Sequence, residues 1–145
     1  MTRQEPIGEE PDPARELEFA LPPGPAAVPA ARRALGAVGH LVESERLADL
    51  RLLVSELVTN SLRHAGLADP GTRLSLEVGT DSIRVQVSDR GSGFAPRVRT
   101  PHPGQRWGWG LLLVDRLADR WGTQPGDPSS VWFEMPTLDP QRLAG

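Results

Sequence analysis

Lysine and cysteine are both absent from the chain, and each absence removes a class of chemistry. Without cysteine there are no disulfides, thiolate ligands or thiol nucleophiles, a composition that fits a reducing compartment. Without lysine, the nucleotide sites built on a phosphate loop with an invariant lysine are excluded. All 16 basic residues are therefore arginine; with plentiful alanine, glycine and proline, this bias reflects a GC-rich genome better than it reflects function. The formal net charge of -3 leaves no broad basic field for nucleic acid. No apolar run nears the ~20 residues of a membrane span, and the N-terminus lacks the basic-then-apolar pattern of a secretory signal. A soluble, cytoplasmic protein is the expectation. The length of 145 residues suits one domain able to bury roughly two-thirds of the surface its unfolded chain would expose.

What is present is organised around Arg46 to Ala65, RLADLRLLVSELVTNSLRHA. Leu47, Leu50, Leu53, Val54, Leu57, Val58 and Ala65 recur at steps of three and four, the period of one helix face. Glu56 and Asn60 fall about 40° and one turn apart at the border of that stripe. Asparagine is a poor choice inside a helix, because its side chain competes for backbone hydrogen bonds. The pair is thus a candidate for chemistry.

The remaining elements follow in order. Residues 1–15 are acidic and proline-rich and are expected to form a disordered tail. Leu17, Phe19 and Leu21 alternate with smaller or charged residues as a short strand, stopped by Pro22 and Pro23. Ala26 to Val42 reads as a first helix, and Ser44 as the cap of the second. Arg73–Val78 and Ile83–Ser88, joined by Gly79-Thr80-Asp81-Ser82, read as a hairpin. A Pro- and Gly-rich loop then leads to a helix over Leu111–Ala118, a short segment around Trp121 and a strand over Ser130–Met135. Helices interspersed with a hairpin indicate an α+β layered sandwich rather than a doubly wound parallel sheet. The domain is expected over residues 16–136, with a C-terminal tail at 137–145.

Two glycine patterns carry further candidates. Asp89-x-Gly91-x-Gly93 leaves a strand where the backbone is able to approach a ligand closely, although a strand-ending turn would also explain it. An EF-hand is excluded, since its ladder of oxygen ligands is missing. Gly108-x-Gly110 before a helix fits an anion site at a helix N-terminus or a plain tight turn. Between them Arg97, Arg99 and Arg106 fit either a phosphate clamp or a solvated loop. His40, His64 and His102 have no metal-ligand spacing to one another.

Taken together, Glu56-x-x-x-Asn60, Asp89-x-Gly91-x-Gly93 and Gly108-x-Gly110-Leu111 resemble the N, G1 and G2 boxes of the GHKL ATP-binding superfamily. LEFALPPGPAAVPAARRAL, ELVTNSLRHA, GLLLVDRLADRWG and VWFEMP are similar to stand-alone anti-sigma-factor serine/threonine kinases of actinobacterial type, and the likeness covers about residues 16–136. It implies a Bergerat two-layer α/β sandwich, a mixed and mostly antiparallel sheet covered by three helices. ATP and Mg2+ would be the cofactors. Asn60 would hold Mg2+, and Glu56 would be the general base. Asp89 would accept from the adenine amine, with Gly91 and Gly93 beside the base. Gly108, Gly110 and Leu111 would form the phosphate end. Residues 94–107 would be a lid, with Arg106 its best candidate for the γ-phosphoryl group.

The implied partners are an anti-sigma-factor antagonist as protein substrate, a sigma factor and a second copy of the chain, with neither nucleic acid nor membrane. Trp109 stands where many relatives have arginine, which keeps open a second function: a catalytically weak ATP-binding module that sequesters a partner without phosphotransfer. The catalytic domain of a histidine kinase is disfavoured, since it would need a dimerising helical domain bearing the phosphoacceptor.

Overall fold

The computed structural model describes residues 15–65, 71–89, 110–124 and 129–138. Of the expected tails at 1–15 and 137–145, residues 1–14 and 139–145 lie outside the described residues, as does the segment from Arg90 to Trp109, while Arg15 opens the first strand. Five strands, β1 (Arg15–Leu21), β2 (Thr72–Val78), β3 (Ser82–Asp89), β4 (Arg120–Gln124) and β5 (Ser129–Pro136), form a sheet in the order β1-β2-β3-β5-β4. Three α-helices, α1 (Ala27–Ala34), α2 (Ser44–Ala65) and α3 (Gly110–Leu117), cover one of its faces. This is the expected α+β two-layer sandwich. Every described pairing is antiparallel, so the sheet has no parallel pair among its described strands.

The period-two pattern of the strands decides which face meets the helices. In register across the sheet, Leu17, Leu76, Val85, Phe133 and Trp121 form one helix-facing row, and Phe19, Leu74, Val87, Val131 and Thr123 form the next. Opposite them, Leu50, Leu53, Val54, Leu57 and Val58 of α2 are all buried, the stripe expected from their spacing. Phe133 sits fully buried in the middle of this core. Truncation by Phe133→Ala removes its contacts and leaves a cavity, so the chain is expected to lose about 3–5 kcal/mol of stability in a denaturant titration.

The outward row carries charge instead. Arg84 and Arg120 both bond Glu134, and Arg120 above all holds that carboxyl below the usual glutamate range. Arg84 also stacks 3.9 Å from the centroid of Trp132. The indole lies so close to β4 that a Cβ at Gly122 would come within 2.7 Å of its Nε1. A depression of about 410 Å³ on this side is lined in part by Glu16, Glu18, Glu77 and Arg84; Glu56 and Asn60 are on the helical layer, across the sheet from it.

Two boundaries differ from expectation. The first helix ends at Ala34 and continues only as 3-10 turns at Leu35–Ala37 and Gly39–Leu41, because Gly36 and Gly39 interrupt a helix at high entropic cost. Ser44 is the first residue inside α2, and the Glu43 carbonyl accepts the first helical bond from Leu47 N–H at 2.8 Å. Glu43, not Ser44, therefore holds the cap position. Its own N–H donates to the Thr137 carbonyl at 2.8 Å, which ties the residue after β5 to the domain.

Candidate functional site

Glu56 and Asn60 are half-buried at the edge of the buried stripe of α2. What they border is the first residue of α3. A Cβ at Gly110 would stand 2.8 Å from Asn60 Nδ2, 3.3 Å from Glu56 Cβ and 3.6 Å from Asn60 Cγ. Only glycine allows this approach, so the requirement at 110 is space. Leu111 and Val114, buried in the core, anchor α3 in that position. The N-terminus of α3, with N–H groups that have no partner within the helix, is thereby brought against the Cβ of Glu56 and the carboxamide of Asn60. The partial positive charge of a helix N-terminus favours an anion there.

Asp89 closes β3, and it is buried at 6 % exposure. Its strand alternates Ile83, Val85, Val87, Asp89 on the helix-facing side, so the carboxylate continues an apolar row into the core. Ser61 Oγ donates to its Oδ2 at 2.9 Å, and Ser129 Oγ donates to its Oδ1 at 3.1 Å. Thr72 Oγ1 lies 3.1 Å from Ser61 Oγ. Thr72, Asp89 and Ser129 are register partners on adjacent strands, forming a polar row where the apolar rows end. Ser61 follows Asn60 directly. One turn of α2 therefore faces α3 through Asn60 and the end of the sheet through Ser61.

The structure thus brings Glu56, Asn60, Gly110 and Leu111 together, and joins Asp89 to the same helical turn through Ser61. Gly91, Gly93, Arg106, Gly108 and Trp109 lie outside the described residues. Sequence reasoning missed Ser61, Thr72 and Ser129. Their signal was phase: each continues the buried period of its own element, at positions where an apolar residue is the norm. A buried hydroxyl needs a partner, and a carboxylate at the end of the neighbouring strand supplies one.

Residues 21–129 match a family model described as a histidine kinase-like ATPase domain. The chain belongs to this family. Within it, the chain is similar to the serine-protein kinase RsbW of Listeria monocytogenes, 28% identical over 119 residues that cover 72% of this chain and 76% of the relative. RsbW of Oceanobacillus iheyensis is 28% identical over 118 residues, 71% of this chain and 75% of that one. The anti-sigma F factor of Pasteuria penetrans is 30% identical over 86 residues, 52% of this chain and 57% of the relative. The solved structure of the RsbU and RsbW domains of Rv1364c from Mycobacterium tuberculosis has the same fold, with a TM-score of 0.65 at 18% identity. That match covers 83% of this chain and 31% of the longer one.

For a histidine kinase-like ATPase domain the donor set is informative. Among the described residues no group of three or more His, Cys, Asp or Glu is placed to hold a metal ion. A single carboxamide such as Asn60 suits a hard cation that arrives with a nucleotide, since Mg2+ takes most of its ligands from phosphates and water. No helix among the described residues is long and apolar enough to cross a membrane.

Proposed function

We propose that this chain is an ATP-dependent serine/threonine protein kinase acting as an anti-sigma factor, and that its substrate is an anti-sigma-factor antagonist. The observation that supports this reading is the packing of Gly110 on Glu56 and Asn60, the candidate base and the candidate Mg2+ ligand, beside a helix end that favours an anion. The names of the RsbW and anti-sigma F relatives support it.

In this reading adenine lies at Asp89, whose carboxylate accepts from the amine, with Gly91 and Gly93 giving backbone access. The phosphates reach the N-terminus of α3 at Gly108, Gly110 and Leu111. Oδ1 of Asn60 is the atom that would hold Mg2+, since only the carboxamide oxygen offers a hard cation a lone pair. That ion would supply charge neutralisation on the phosphate oxygens. A serine or threonine hydroxyl of the antagonist attacks the γ-phosphorus; the bond to the β–γ bridging oxygen breaks, ADP leaves, and Glu56 takes the hydroxyl proton. Arg106, in the lid at 94–107, stabilises charge on the transferred group. Little covalent work falls to the protein, so positioning and electrostatics dominate.

The further partners proposed are a sigma factor, held when the antagonist is absent, and a second copy of the chain. Cytoplasmic location belongs to the same reading. Trp109, in place of an arginine, favours the second reading of a sequestering module that transfers no phosphate. Incubation with γ-labelled ATP, Mg2+ and antagonist proteins encoded by the same genome separates the two. Label on a serine or threonine of an antagonist is the expected result; a stable ATP-dependent complex without label supports sequestration.

A further inference from the structure

The buried hydroxyls beneath Asp89 form a chain with a direction. Ser61 Oγ carries one proton and gives it to Asp89 Oδ2 at 2.9 Å. A hydroxyl has one donor and two acceptor positions, so in the 3.1 Å contact between Ser61 and Thr72 the donor is Thr72. The order is Thr72 to Ser61 to Asp89, from the start of β2 through α2 to the end of β3. All three residues are buried, at 1 %, 7 % and 6 % exposure. Water therefore competes little for these bonds. Ser129 donates to the other carboxylate oxygen at 3.1 Å, from the strand on the opposite side of β3.

We propose that Ser61 and Thr72 are positioning residues for base selection: the relay fixes the plane and rotamer of the Asp89 carboxylate, and so sets preference for a purine bearing an exocyclic amine. The inference rests on Asp89 meeting the base, as in the function proposed above. Donors at different angles fix a carboxylate plane, and removal of Ser61 takes a donor from Oδ2 and loosens the group. Threonine at 72 locks the Ser61 rotor by occupying one of its lone pairs. The same segment of α2 carries Asn60, so the base end and the phosphate end share one rigid element.

The test measures affinity for ATP and for purine riboside triphosphate, which lacks the amine, in wild type, Ser61→Ala, Thr72→Val and Thr72→Ser. Circular dichroism and melting establish that each variant is folded. Wild type is expected to prefer ATP. Ser61→Ala should lose roughly tenfold in ATP affinity, the scale of a hydrogen bond to a charged group, with little change for the amine-free analogue. Thr72→Val should shift in the same sense by less, and Thr72→Ser should keep the wild-type preference. A role in stability alone would weaken both nucleotides together or neither, and that result overturns the proposal. The same holds if folded Ser61→Ala keeps the full preference. Should Ser61→Ala not fold, the Thr72→Val and Thr72→Ser pair decides: equal preference in both overturns the relay. A wild type that binds both nucleotides equally would instead sink the placement of Asp89 at the base, and the relay with it.

Discussion

Glu56→Gln is expected to lower phosphotransfer by a factor on the order of 10² to 10⁴, the usual contribution of a positioned general base, while Mg-ATP binding and the fold persist. The substitution keeps the length and shape of the side chain. It also keeps the Glu56 Cβ, which would stand 3.3 Å from a Cβ at Gly110, so the packing of α3 on α2 should not change. What disappears is the basic oxygen that would accept the substrate proton. Single-turnover labelling of an antagonist protein reads the chemical step, and nucleotide affinity measured beside it shows that the site remains intact. Transfer at the wild-type rate by Glu56→Gln would leave a kinase standing but remove Glu56 from its mechanism. If wild type transfers nothing and holds its partner equally well with either residue at 56, the chain is a sequestering module.

Gly110→Ala should be nearly as damaging, through a different step. The new methyl would meet Asn60 Nδ2 at 2.8 Å, closer than carbon and nitrogen tolerate. Asn60 is half-buried and its amide is the end of a flexible side chain, so the amide swings aside more cheaply than two packed helices separate. The fold is therefore expected to hold, with Asn60 displaced. A misplacement of about 1 Å in a positioning group costs on the order of 10² in rate, and the loss should fall on Mg2+-dependent binding and transfer together. Asn60→Ala provides the comparison. If Gly110→Ala acts by moving Asn60, it should cost little more in an Asn60→Ala background, a non-additivity that a double-mutant cycle measures. Full additivity would mean that the methyl harms the helix N-terminus itself.

Much of this architecture was legible in the sequence, for reasons that differ between elements. α2 was readable because its stripe runs through 50, 53, 54, 57 and 58 without interruption, and all five residues are buried. The hairpin of β2 and β3 was readable because alternation of apolar and polar residues is strict on both strands. The expected first helix is longer than α1, since alanine and leucine content favours a continuous helix over Ala26 to Val42, while in the fold Gly36 and Gly39 break the run. Of β4 the sequence shows only a short segment near Trp121, because Arg120–Gln124 is short, sits at the edge of the sheet and contains Gly122, whose place is set by Trp132 of the neighbouring strand.

The same contrast applies to the site. Glu56 and Asn60 were visible as polar residues at the border of an apolar stripe, and their approach to Gly110 depends on a helix more than forty positions away, which no local pattern encodes. The hydroxyls were invisible for the opposite reason. Serine and threonine are common, and only the sheet register reveals that Thr72, Asp89 and Ser129 share one row.

The central claim, that the turn of α2 at Asn60 and the N-terminus of α3 bind the phosphates of ATP with Mg2+, is tested most directly by calorimetric titration of ATP into the folded chain, with Mg2+ present and with it removed by chelation. Saturable binding with Mg2+ that weakens strongly on chelation is expected, and the melting temperature should rise with nucleotide concentration, since the ligand binds only the folded form. No heat of binding and an unmoved melting curve at saturating Mg-ATP would contradict it.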